Sequence, residues 1–345
     1  MKVAVVLFNL GGPDAPEAVQ PFLYNLFADP AIINLPAPLR VPLAHFVSRR
    51  RARVAAGIYA QLGGRSPILP NTEAQARALE TELADLGTVR AFPVMRYWHP
   101  RAEAVAREVA AFAPDRVVLL PLYPQFSTTT TASSLRDWDA AAGATARGSR
   151  RVVCCWAVEE GFVEALAELT RRGYAAASAA GAPRVLFSAH GLPEKVVRAG
   201  DPYAWQVERT AAAVVARLAI AELDHVVCYQ SRVGPLRWIG PSTEDEIARA
   251  GRLRRPVVVV PLSFVSEHSE TLVELDVEYR EKAAHAGVPH YERVPTVATH
   301  PAFIAGLGAV VRRALARAGD APAPDDATRC PEAFTRCGCR RAEAA

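Results

Sequence analysis

The segment Ser266-Glu267-His268-Ser269-Glu270-Thr271-Leu272-Val273-Glu274-Leu275-Asp276-Val277-Glu278 carries a glutamate every four residues from Glu270 onward. On a helix, positions four apart lie on one face, so Glu270, Glu274 and Glu278 form a carboxylate row. Like charges at that spacing cost about 0.2–0.5 kcal/mol per pair, so folding alone gives little reason to align them. A divalent cation or a moving proton would offset the repulsion. The plain alternative is an ordinary amphipathic helix. In that reading Ser266 caps it, the helix dipole favours Glu267 and Glu270 in its first turn, and Glu278 pairs with Arg280 or Lys282 in solvent. The apolar run Pro256-Val257-Val258-Val259-Val260-Pro261-Leu262 reads as a buried strand just before the row. Its end is where open α/β sheets bind ligands.

A second site follows Val185-Leu186-Phe187-Ser188-Ala189-His190-Gly191-Leu192-Pro193, a strand running into a turn with His190 at its carboxyl end. Imidazole titrates near neutral pH and is a common metal ligand, so His190 suits a base or an iron ligand. A histidine merely bonded to loop backbone is the simpler alternative. Ser188 and His190 do not make a hydrolase pair, because the chain has no G-x-S-x-G elbow. Gly11-Gly12-Pro13 after the first strand is not the G-x-G-x-x-G fingerprint, which argues against a nicotinamide enzyme.

The elements that must position these groups alternate along nearly the whole chain. Apolar runs at Val3–Leu7, Arg90–Met95, Arg116–Pro121, Val152–Trp156, Arg184–Ser188, Val226–Tyr229 and Val257–Leu262 read as strands. Helical patterns between them, such as Thr72–Leu86, Arg101–Phe112, Glu160–Arg172, Trp205–Ile220 and Pro301–Arg317, make βαβ units. The expected fold class is α/β with parallel sheets. A length of 345 residues suits two domains. We place a first at 1–145 and a second, carrying His190 and the glutamate row, at 146–318, with a tail at 319–345. The Ala/Gly stretch Ala140–Gly148 is the expected linker, and residues after Arg317 read as flexible. No internal repeat is visible in the sequence.

Half the residues are hydrophobic and the net charge is only +4, as in a globular protein. The cluster Arg49-Arg50-Arg51 with Arg53 lacks interleaved aromatics, so a carboxylate ligand or a solvated face suits it better than nucleic acid. Met1–Leu10 reads as a first buried strand rather than a signal peptide. No charge-free, proline-free window reaches the ~18 apolar residues of a membrane span. The apolar segment Phe22–Phe46, broken by Pro30, Pro36, Pro38 and Pro42, cannot be one long helix. It suits a greasy lip that holds an apolar ligand or touches a bilayer surface. The expected location is cytoplasmic, with that lip available for peripheral membrane contact. Monomer and homodimer are both compatible with the sequence.

Ser188-Ala189-His190-Gly191-Leu192-Pro193, followed by Gly200-Asp201-Pro202-Tyr203, resembles the signature of ferrochelatase. So do, in the family's order, Phe8-Asn9-Leu10-Gly11-Gly12-Pro13, Leu62-Gly63-Gly64-Arg65-Ser66-Pro67, Met95-Arg96-Tyr97-Trp98-His99-Pro100 and Leu122-Tyr123-Pro124-Gln125-Phe126-Ser127. Gln230-Ser231-Arg232-Val233-Gly234-Pro235, Trp238-Ile239-Gly240-Pro241 and the glutamate row complete the resemblance, from about residue 3 to 317. It implies two similar Rossmann-like halves with a porphyrin cleft between them, and insertion of Fe²⁺ into protoporphyrin IX, the last step of heme synthesis. By the same resemblance His190 and Glu270 act on iron and pyrrole protons from opposite sides of the cleft. Glu274 and Glu278 are implied as the acidic path leading away. Arg51, Tyr59 and Ser66 match porphyrin or propionate contacts, and Tyr97 and Trp238 match residues that line the pocket. Competing readings are a chelatase for coproporphyrin or another metal, and a non-catalytic heme- or iron-binding protein.

The six cysteines are Cys154, Cys155, Cys228, Cys330, Cys337 and Cys339. Clustering without a disulfide context suggests metal or redox work. Cys330, Cys337 and Cys339 share an Arg-rich tail where positive charge favours thiolate, and three thiolates want a fourth. An inert loose tail is the alternative. The resemblance implies a [2Fe–2S] cluster of the bacterial type, held by the three tail cysteines and one internal cysteine. Thr128 occupies the vertebrate-type internal position. The bacterial position falls at the Cys154-Cys155 pair, whose neighbours on a strand face opposite ways. We expect Cys155, with Cys154 as runner-up, and Cys228 as a core thiol.

Overall fold

The computed structural model describes residues 1–143, 150–232, 236–317 and 329–341. Most of the expected Ala140–Gly148 linker, residues 233–235 of the Gln230 block and residues 318–328 of the expected flexible tail lie outside them. The chain divides into two compact units. The first comprises Met1–Tyr123, Ser127–Cys154 and a stretch beginning at Val311; the second comprises Pro124–Phe126, Cys155–Val310 and the cysteine tail.

Each unit holds a four-stranded, fully parallel sheet. The first unit contains β1 (Lys2–Asn9), β2 (Thr88–Met95), β3 (Arg116–Pro121) and β4 (Arg150–Val152), in the order β2-β1-β3-β4. The second contains β5 (Arg184–His190), β6 (His225–Gln230), β7 (Val257–Pro261) and β8 (Tyr291–Arg293), in the order β6-β5-β7-β8. The two sheets share one strand order, a repeat of topology that survives without visible repetition of sequence. Central strands are buried on both faces, which is why β1, β5 and β7 read as unbroken apolar runs. The expected strand at Val152–Trp156 lies earlier, at Arg150–Val152. The last bond in its line runs from Val153 N–H to the Leu119 carbonyl, after which Trp156 N–H donates to Pro124. Strand β8 was not expected, because Tyr-Glu-Arg has no apolar run; it pairs with β7 through Val257↔Tyr291.

The segment expected as a lip forms two helices, Val19–Ala28 and Ala37–Ala60. Pro36 and Pro38 flank the start of the second. Pro42 does not break it, because the backbone partner it forgoes lies in the first turn. Leu39, Val41, Phe46 and Val54 of this helix are exposed.

In the second unit, β5 and β6 set the frame of the functional edge. Their parallel register puts His190 beside Gln230, and Gly191 N–H donates to the Gln230 carbonyl at 2.9 Å. A Cβ on Gly191 would lie 2.9 Å from that carbonyl oxygen and 3.2 Å from the Trp238 ring. Gly191→Ala is therefore expected to lower stability by about 1–3 kcal/mol through overpacking. Chemical denaturation compared with wild type measures it.

Candidate active site

His190 ends β5, and the glutamate row begins nine residues after β7, the strand hydrogen-bonded to β5. Both groups thus come to the carboxyl edge of one sheet. His190 Nδ1 lies 3.0 Å from Glu270 Oε2. A carboxylate oxygen accepts, so Nδ1 carries the hydrogen and Nε2 is the basic nitrogen. The resemblance implied that the two act from opposite sides of a cleft. They are instead direct hydrogen-bond partners in the second unit, because β5 and β7 are neighbours.

Glu270–Glu278 forms a π-helix rather than the expected α-helix, continuing into the α-helix Tyr279–His285. The sequence shows glutamate spacing but not this wider winding, which tends to mark functional sites. Tyr291 Oη donates to the Leu275 carbonyl at 2.5 Å, and Leu275 and Tyr279 pack into the sheet core beside Cys228 and Val259. The plain amphipathic reading fails in three details. Ser266 does not cap the helix: Ser269 precedes it without a side-chain cap bond. Glu267 binds Arg293 and the Thr296 N–H, and Arg280 and Lys282 pair with Asp276 and Glu244 rather than Glu278.

Behind Glu270 sits Glu274, held by four donors. Ser231 N–H donates to its Oε1 at 2.8 Å, Ser231 Oγ to Oε2 at 2.5 Å, Tyr279 Oη to Oε1 at 3.0 Å and Gln230 Nε2 to Oε2 at 3.3 Å. Ser188 Oγ donates to Gln230 Oε1 at 2.9 Å, which fixes the orientation of that amide. Glu278 is half-buried further along the same segment.

Electrostatics separate the two carboxyls. Burial opposes charge on Glu270, but the His190 imidazole, with support from His268 and Ser231, holds its pKa down at about 2. Burial and the Glu270 charge push Glu274 up, against the bonds from Ser231 and Tyr279. His190 is raised: burial works against its cation, and Glu270 and Glu274 outweigh it. Sequence reasoning passed over His268, two residues before Glu270. It is buried, its pKa is lowered by that burial, and its Nε2 lies 4.0 Å from Glu270 Oε1. Ser231 was also missed as a chemical group; its only sequence signal was its place in the Gln230 block.

The expected substrate contacts divide between the units. Tyr59 and Tyr97 belong to one apolar cluster with Val19, Phe22 and Leu23 in the first unit. Tyr97 Oη donates to the buried Asp29 at 2.9 Å, and Arg96 Nη2 lies 2.9 Å from the same oxygen. Ser66 is buried, with its N–H on the Pro13 carbonyl, and Arg51 is exposed with its guanidinium 5.9 Å from the Phe27 ring centre. Trp238, in the second unit, is half-buried and bridges to Pro193.

In the second unit, Gln206 Nε2 donates to Cys155 Sγ at 3.4 Å and to Cys330 Sγ at 3.2 Å, while its Oε1 accepts from Phe126 N–H at 2.7 Å. The Cys330 and Cys337 thiols share a hydrogen bond, and the Cys337 and Cys339 sulfurs lie within 4.8 Å of each other. Cys330 is pushed well up by the Cys337 sulfur and by burial, the opposite of the effect expected from the arginines. Crowding by neighbouring sulfurs wins because they are in contact. Such a donor set could hold a metal, which would reverse that preference for the thiol. Cys228 is a core thiol, pushed up to about 12 by burial.

Glu270→Gln removes the negative charge that raises His190. We expect NMR titration to place the His190 pKa above the ordinary 6.5 in wild type and to lower it in the variant. The pair stabilises most between about pH 4.5 and 6.5: its share from Glu270 falls away toward pH 2, and that from His190 falls away as pH rises through its raised pKa.

The ferrochelatase family profile matches residues 2–315. A ferrochelatase of Phenylobacterium zucineum is 55% identical over 343 residues, covering 99% of this chain and 98% of that protein. A ferrochelatase of Caulobacter vibrioides is 54% identical, covering 100% and 99%, and one of Pelagibacter ubique is 46% identical, covering 98% and 99%. Among solved structures, SirB from Bacillus subtilis with Fe³⁺ aligns over 92% of this chain and 96% of that one, with a TM-score of 0.52 at 14% identity. That likeness carries the fold, the α/β pattern of paired parallel sheets, and the sequence matches carry the family. This chain belongs to the ferrochelatase family.

Proposed function

We propose that this chain inserts Fe²⁺ into protoporphyrin IX to give protoheme, the last step of heme synthesis. One observation carries the reading: a histidine whose Nδ1–H is committed to a carboxylate, with a second carboxylate directly behind it. Metallation displaces two pyrrole protons and strips water from the incoming ion. With Nδ1 occupied, His190 Nε2 is free in its neutral form to accept a pyrrole proton or to bind iron in place of water. Glu270, ionised at rest, stabilises the imidazolium that follows, and Glu274 and Glu278 lead the proton away. Arg51 supplies a cation for a propionate, with Tyr59, Ser66, Tyr97 and Trp238 as further porphyrin contacts. A chelatase for coproporphyrin or another metal would share this chemistry, and relative rates on protoporphyrin IX and coproporphyrin III separate them. A heme- or iron-binding protein would stop at one equivalent.

Cys155, Cys330, Cys337 and Cys339 are the residues we assign to a [2Fe–2S] cluster, with Cys154 as the alternative to Cys155. The contacts through Gln206 and among the tail sulfurs support the set. A bound cluster would supply one-electron redox chemistry and a staple for the tail. No helix among the described residues is long and apolar enough to cross a membrane. The exposed Leu39, Val41 and Phe46 beside Arg49 and Arg50 support cytoplasmic protein that contacts an anionic bilayer surface peripherally.

His190→Ala is expected to lower iron or zinc insertion by about 10²–10⁴-fold, and Glu274→Gln by less. A His190→Ala protein with near-normal turnover would refute the assignment. Purified protein should absorb in the visible region, and Cys337→Ser should lose that absorption; colourless, iron-free wild type would count against the cluster.

A further inference from the structure

The Ser231 hydroxyl stands between the two carboxyls. Its Oγ lies 3.2 Å from Glu270 Oε2 and 2.5 Å from Glu274 Oε2. A hydroxyl has one hydrogen and two acceptor lone pairs, so it cannot donate to both oxygens at once. One of the two contacts is satisfied as a hydrogen bond only when a carboxyl proton points at the serine. The site therefore fits two carboxyls that share a proton across a hydroxyl.

The backbone holds this arrangement at a cost. Ser231 has φ +58°, a left-handed conformation that a non-glycine residue adopts at roughly 1–2 kcal/mol. That conformation lets its N–H reach Glu274 Oε1 while its side chain faces Glu274 Oε2 and Glu270 Oε2. Ser231 directly follows Gln230, the residue in register with His190, so it lies beside the oxygen that accepts from the imidazole. Strained residues of this kind gather at functional sites.

We propose that Ser231 relays protons from Glu270 to Glu274. In each passage the Glu270 Oε2–H bond breaks as that proton reaches Ser231 Oγ. The original Ser231 O–H bond breaks as its proton reaches Glu274 Oε2. One proton moves, the serine ends as a neutral hydroxyl, and no electrons are exchanged. Rotation about Cβ–Oγ resets it after Glu274 passes its proton on. The proposal deepens the functional reading and rests on Glu270, ionised at rest, taking up the Nδ1 proton of the His190 imidazolium in passing.

The test is steady-state zinc insertion into protoporphyrin IX by wild type, Ser231→Ala and Ser231→Gly. Both variants keep the N–H bond to Glu274 and lose the hydroxyl, and glycine also suits the positive φ. A relay predicts that both lower kcat by roughly ten- to a hundredfold at unchanged porphyrin KM. It also predicts that a bowed proton inventory in mixed H₂O and D₂O becomes simpler in both. If backbone strain or stability were the only role, Ser231→Gly would turn over at the wild-type rate, and that result overturns the relay. A proton inventory unchanged from wild type overturns it too. Wild-type protein that inserts no metal overturns the functional reading and the relay together, whereas active wild type with fully active Ser231→Gly removes the relay alone.

Discussion

Two carboxylates held close together in a partly dry site repel each other, and the structure around them is arranged to make that proximity tolerable. The His190 imidazole takes the negative charge of Glu270, across 3.0 Å, and holds that carboxyl ionised. Glu274 has no such cation and is instead surrounded by neutral donors from Ser231, Tyr279 and Gln230. One carboxyl is therefore charged at rest and the other inclined toward the protonated form, so a proton that reaches the first is passed readily to the second. That gradient makes a path for protons out of two like groups.

The sheet makes this gradient reproducible. His190 ends β5, and the π-helix follows its hydrogen-bonded neighbour β7, so the pairing of these strands brings both groups to one edge of the sheet. Ser188, on β5, and Thr243 are both buried and bond to each other, and Ser188 also orients Gln230. The π-helix is anchored by the Tyr291 hydroxyl on the Leu275 carbonyl, a bond that only the short edge strand β8 can supply. Gln230 and Tyr279, two of the donors to Glu274, are thus themselves held in the core.

The cysteine tail attaches to the same unit through a different part of the chain. Thr335 and Arg336 pack on Gly200, where a φ of +95° and the closeness of the Thr335 side chain leave no room for a Cβ. Phe334 stacks near Trp205, and one helix, Tyr203–Leu218, presents both Gln206 to the sulfurs and Tyr203 to Ser263. The described part of the tail, residues 329–341, is therefore packed against structure. Gln206 had no signal in the sequence, because a lone glutamine in an amphipathic helix looks like any surface residue until its neighbours are known.

Local sequence determined most strands and helices, since a strand buried on both faces must be written as an apolar run and a crossover helix as an amphipathic one. It also determined which chemistry was present, because His190 and Glu270 carry it in their own side chains and their surrounding blocks identify the family. The winding of the Glu270–Glu278 segment and the three-residue strand β8 were not legible, because each depends on bonds to residues distant in sequence. Only the tertiary structure decided that His190 and Glu270, eighty positions apart, are direct partners, and that Ser231 sits between two carboxyls. Their roles follow from distances of about 3 Å, and such distances are set by the register of neighbouring strands, which no spacing along the chain records.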